Sequence, residues 1–139
     1  VGYYADYSAV FDRVKDDIDA ISGLTVILGG PFRLGVNMPC AVINPMPSRM
    51  GNAYTQTGIE TRIGIEVILI IRETAPEDWF ADIIKTMGDV VDAILADRTL
   101  NGLVLDTIPT LFAPAEVKFE SKLYYGGVVR LEATHLHEP

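Results

Sequence analysis

His135 and His137 are the residues of this chain best equipped for chemistry. They stand two apart in a segment that alternates as a strand, so they point to one side. With Glu132 or Glu138 nearby they could in principle hold a metal ion. A structural zinc site needs about four ligands, and the sequence offers no partner cluster. The pair therefore reads as a polar strand end, and no metal ligand is assigned. Cys40 is the single cysteine and cannot form an intramolecular disulfide. It lies between Pro39 and the apolar Ala41-Val42-Ile43, which reads as a buried, inert thiol. Gly29-Gly30-Pro31 and Gly126-Gly127 lack the spacing of a phosphate loop and read as turns, the second as a turn or a bulge. The acidic residues, among them Asp16, Asp17, Asp19, Asp89 and Asp92, are dispersed over helical faces and read as solvated. No Ser-His-Asp or Cys-His arrangement has a local signature. No catalytic residue and no cofactor site is assigned, and an enzyme is the weaker class.

The elements that would position these residues are legible in the hydrophobic pattern. Trp79, Phe80, Ile83, Ile84, Met87, Val90, Val91, Ile94 and Leu95 recur at steps of three and four and share one helical face. Glu77, Asp78, Asp82, Lys85, Asp89 and Asp92 fall opposite. Thr74 and Glu77 form a capping box around Pro76, so one long helix is expected from Thr74, with Arg98 suited to its C-terminal end, then a turn over 99–102 and a strand from Leu103. An apolar face this wide needs a covering layer. Asp6 to Ile21 reads as a first helix through Tyr7, Val10, Phe11, Val14, Ile18 and Ile21, ended by Ser22-Gly23. Leu24–Leu28 is a short strand run, and Phe32–Asn44 is β-like, broken by Pro39 and strongest over Cys40–Ile43.

Residues 45–58 are rich in Pro, Gly and polar side chains and have no period. They are expected to be a long mobile loop, the kind that is usually functional or disordered. Met46, Arg49, Met50 and Tyr54 are its adaptable contact residues and its candidate partner-binding set. Ile59 to Arg72 is the longest strand, with Ile59 to Ile71 alternating against Glu60, Arg62, Glu66 and Arg72. Ile68 and Ile70 make its end apolar on both sides, so another layer or another chain covers it. The closing region reads as a meander of three strands, Leu103–Ile108, Ala115–Tyr124 and Val128–Leu136. The fold class is α+β: one domain over residues 1–139, with an antiparallel or mixed sheet of about five to six strands and two main helices packed against it.

Composition sets outer limits. The chain has 139 residues, 49% of them hydrophobic and 22% charged, enough for one core. Its net charge is −8, and its eleven Lys and Arg are scattered singly, so specific nucleic-acid binding and attraction to anionic membrane are not expected. No apolar run is long enough to span a bilayer, and no signal peptide opens the sequence. A cytoplasmic site of synthesis is expected.

The order of elements resembles the tail terminator (tail completion) proteins of long-tailed bacteriophages. The resemblance lies in Val67–Arg72 running into Trp79–Leu95, in the helix exit Leu100-x-Gly102-x-Val104, and in the closing Gly127–Thr134. It covers the chain from about Asp6 to His137. It implies a structural virion protein that works as a ring, usually of six subunits, at the end of the tail tube. Such a ring stops tube polymerisation and joins the tail to the head-side neck. Its partners would be further copies of itself, the tail tube protein and a neck or connector protein. Its place would be the virion tail or neck, assembled in the host cytoplasm. Other head–tail connectors share related folds and are the nearest alternative. A small enzyme or ligand-binding domain with a site under residues 45–58 is the alternative of a different class. If the charge of −8 partly faces a ring lumen, it would keep passing DNA from sticking; a basic lumen would refute that expectation.

Overall fold

The computed structural model describes residues 2–29, 39–52, 58–72, 79–119 and 122–137. The element order is α1 (Tyr3–Asp19), β1 (Thr25–Leu28), β2 (Cys40–Asn52), β3 (Ile59–Arg72), α2 (Trp79–Leu95), β4 (Asp106–Phe119) and β5 (Lys122–His137). The five strands form one mixed sheet in the order β1-β2-β3-β5-β4. Only β1 and β2 run parallel; the other three pairings are antiparallel. The fold is α+β, with two helices and a five-stranded sheet.

Both helices cover the same face of the sheet. Alternation along β3 sends Ile63, Ile65, Val67, Leu69 and Ile71 to that face. There they meet Ala41 and Ile43 of β2 and Val129, Leu131 and Ala133 of β5. From above, α1 contributes Val10, Phe11, Val14 and Ile18, and α2 contributes Ile83, Met87, Val90 and Ile94. Each helix shows the three-and-four spacing that puts one stripe inward. Phe80 and Leu95 are the exceptions on α2, being exposed where the helix overhangs the core. The capping box at Thr74 and Glu77, like Phe32 in the earlier β-like run, lies outside the described residues. The apolar end of β3 is covered within the chain: Ile70 is buried on the outer face together with Cys40, Val42 and Tyr124.

Three expectations are corrected. First, residues 45–52 are strand rather than loop. β1 reaches only as far as Ile43, so among the described residues β2 beyond it has one edge without a partner strand, where proline is tolerated. A bulge between Met46 and Arg49 absorbs Pro47, and Met46 lies over Gly64, where a side chain would come within 2.9 Å of its Cβ. Second, Leu103–Leu105 is not strand. Leu100, Asn101 and Gly102 all take positive φ (49°, 57° and 84°), and the turn is held by Asp97 accepting from the Asn101 N–H and Thr99 Oγ1 from the Gly102 N–H. Third, the closing meander has two long strands rather than three. Pro109 and Pro114 do not break β4, because it is an edge strand and a bulge follows Pro109. Gly126-Gly127 lies inside β5. A side chain on Gly126 would collide with the backbone of Leu69, and one on Gly127 would come within 2.6 Å of Met87 Sδ. The glycines answer a close approach, not a turn.

Candidate partner-binding surface

The contact residues expected from the sequence fall on one part of β2. Met46 pairs with Gly64, Arg49 with Arg62, and Met50 with Thr61. Met50 is exposed, and Tyr54 lies outside the described residues. Met46 and Arg49 line an open groove on the outer face with Pro47, Arg62, Gly64 and Arg130. The arginines do not stand alone there: Arg62 Nε is 3.7 Å from Glu60, and Arg130 Nε is 3.2 Å from Glu66. Arg49 directly faces Arg62 across the strands, a like-charge pairing that an incoming carboxylate would relieve.

A second surface, not foreseen from the hydrophobic periodicity, is the outer edge of the sheet. β4 pairs on one side only, with β5. Along and just before it, Leu103, Leu105, Ile108, Leu111 and Phe112 are exposed, Leu105 to 61%. Ile108 and Leu111 lie opposite Glu132 and Arg130 and so share the outer face, whereas Phe112 lies opposite Val129 on the helix side. Natural sheets usually blunt a free edge with charge, proline or a cover. Here Pro109 and Pro114 remove two N–H donors, but the side chains between Thr107 and Ala115 carry no charge. Asp106, at the start of the strand, is held by a two-point interaction with Arg98, at 2.8 and 2.7 Å. That contact keeps the Asp106 carboxyl below the usual carboxylate range. The edge therefore presents an apolar strip that starts at an ion pair, is interrupted by Pro109 and ends at Pro114. The signal was available in the sequence: an apolar run broken by prolines reads as an edge strand.

Charge is divided between the layers. α1 carries Asp6, Asp12, Asp16, Asp17 and Asp19 against Arg13 and Lys15, and α2 carries Asp82, Asp89 and Asp92 against Lys85. On the outer sheet face Arg49, Arg62 and Arg130 balance Glu60, Glu66 and Glu132. The acidity of the protein is thus largely a property of its helical side. The two histidines lie at the end of β5 on the helix-facing side, beneath the first turn of α1. A scan against protein-family models and a search of curated proteins find no match to this chain. Among the described residues, no helix is long and apolar enough to cross a membrane.

Proposed function

We propose that this protein is a ring-forming structural subunit of a phage tail, a tail terminator or a neighbouring neck component. The observation that carries the proposal is the apolar free edge at β4. An unpaired strand with Ile108, Leu111 and Phe112 exposed beside Leu103 and Leu105 is a surface that favours burial against another chain. A second copy suits it. A ring is built from a heterologous contact, in which two different patches of the same chain meet. The acidic helical side and the arginine-bearing outer face supply two such patches of unlike character. The resemblance in element order adds the tail tube and the head-side neck as partners, with Met46, Arg49 and Met50 offered to one of them.

The test is native mass by light scattering across a concentration series, for the wild type and for Ile108→Lys with Leu111→Lys. Both positions are exposed, so the double variant should keep its thermal midpoint. The wild type is expected to close into an oligomer of about six subunits, alone or on the end of polymerised cognate tail tubes. The double variant is expected to be monomeric in both settings. A wild type that stays monomeric and ignores tail tubes would overturn the proposal.

A further inference from the structure

Asp6 completes what the two histidines lacked in the sequence. His135 and His137 lie on the helix-facing side of β5, in line with Leu131 and Ala133. The first turn of α1 crosses above them. One ligand atom from each of Asp6, His135 and His137 falls within 4.8 Å of the others. Asp6 Oδ2 is 2.8 Å from His137 Nδ1 and 3.6 Å from His135 Nε2.

The orientation of His135 decides what this cluster suits. Its Nδ1 lies 3.1 Å from the Leu103 carbonyl oxygen. A carbonyl only accepts, so Nδ1 carries the hydrogen and donates. In the neutral ring the lone pair is then on Nε2. That atom is buried, has no hydrogen-bond partner, and faces the Asp6 carboxylate. The His135 side chain is only 8% exposed, so water does not compensate freely. A lone pair opposed to a carboxylate calls for a cation between them. At 3.6 Å a shared proton spans too far for a good hydrogen bond. A metal ion bonded at about 2.0–2.2 Å to each donor would set neighbouring ligand atoms roughly 3.3 Å apart. The two distances to Asp6 lie on either side of that value, so a shift of the carboxylate of about half an ångström equalises them.

We propose that Asp6, His135 and His137 bind one divalent transition-metal ion of the zinc type. Two imidazoles and one carboxylate suit Zn2+, Co2+ or Ni2+, whereas Mg2+ and Ca2+ prefer all-oxygen shells. The Leu103 carbonyl is the outer partner that fixes the ligating tautomer, as such partners do in metal sites. Tyr3 walls the other side. Its hydroxyl is 2.7 Å from Thr61 Oγ1, and its ring meets that of His137 nearly perpendicularly at 5.4 Å. The hydrogen that His137 Nδ1 shares with Asp6 at 2.8 Å is displaced when the ion binds. The three protein ligands leave a fourth position on the more exposed Asp6 side for water or another donor. The ion would fasten the first helical turn to the end of β5. The proposal is independent of ring formation.

The experiment uses the full chain without an affinity tag, stripped with chelator. Co2+ is titrated while visible absorption is followed, and Zn2+ is titrated by calorimetry and thermal melting. One equivalent is expected, with tetrahedral Co2+ bands. Zn2+ at a hundredfold its Kd should raise the midpoint by about 10 °C, and Mg2+ should not. Asp6→Asn and His135→Gln should each weaken binding by about a hundredfold or more. If His135→Gln fails to fold, His137→Gln takes its place. No saturable single-equivalent binding by the wild type, or unchanged affinity in the folded variants, would overturn the site.

Discussion

Asp17 gives the sharpest test of the electrostatics. It lies on α1 with its side chain 12% exposed, 3.5 Å from Arg13 Nε. The same Nε is 2.8 Å from Asp97 Oδ2. Arg13 therefore serves Asp97 first, and Asp17 Oδ2 is buried without a hydrogen-bond partner. Burial pushes the Asp17 carboxyl up to about 7, and contact with Asp97 adds to the shift. Asp97 moves the other way, held down by hydrogen bonds from Asp17, Arg13 and the Asn101 amide against its own burial. An acid whose folded pKa lies above its unfolded value costs stability once the unfolded chain ionises. The cost is absent below about pH 3.8, grows through the interval up to pH 7, and is fully present above it. A shift of about three units corresponds to roughly 4 kcal/mol at most. Sharing with Asp97 and Arg13 reduces this to about 2 kcal/mol as a working figure. Asp17→Asn keeps a donor toward Asp97 and removes the ionisation. Relative to the wild type, the variant should gain about 2 kcal/mol at pH 8 and almost nothing at pH 3.5. With an m value of about 2 kcal/mol/M in urea, the midpoint should rise by about 1 M at pH 8. Urea titrations at pH 3.5, 6 and 8 would show a gain that increases with pH. A variant less stable than the wild type at pH 8 would mean that Asp17 is ionised and paired with Arg13, and the reasoning would fail.

Two glycine substitutions should have opposite signs. Gly126→Ala drives a methyl group into the Leu69 backbone and should cost about 3 kcal/mol or prevent folding, whereas Gly88→Ala meets nothing within 4 Å in α2 and should gain about 0.5–1 kcal/mol; thermal melts of both variants check this. Burial pushes the Cys40 thiol up to about 11, so native protein at pH 8 should resist alkylation, and unfolding in urea should expose one reactive thiol per chain by mass spectrometry.

The parts of the fold legible in the sequence were those whose periodicity is set by one buried face. α1, β3 and the body of α2 follow from the spacing of Val10 to Ile18, Ile63 to Ile71, and Ile83 to Ile94. The misread parts share a cause. Pro45, Pro47, Pro109 and Pro114 looked like breaks, yet among the described residues each sits where a strand has an edge without a partner strand. Whether a strand has a neighbour is a property of topology, which local pattern does not carry. Gly126 likewise answers to Leu69, some sixty residues earlier in the chain. The histidine site was half legible: His135 and His137 announce themselves by spacing, but Asp6 lies 131 positions before His137 and belongs to a helix whose placement only the assembled core decides.

The position of β5 governs when this protein can fold during synthesis. β5 follows β4 in the chain, yet it lies between β3 and β4. Among the described residues, β4 has no other partner in the sheet, and β3 has only β2 on its far side. A nascent chain that has emerged only as far as Phe119 can hold α1, α2 and the β2–β3 hairpin, but two apolar strands still lack the ribbon that joins them. The ribosome therefore exposes the apolar strip of β4 before the strand that pairs with it exists. Truncation ahead of Lys122 should yield an aggregating fragment rather than a smaller domain.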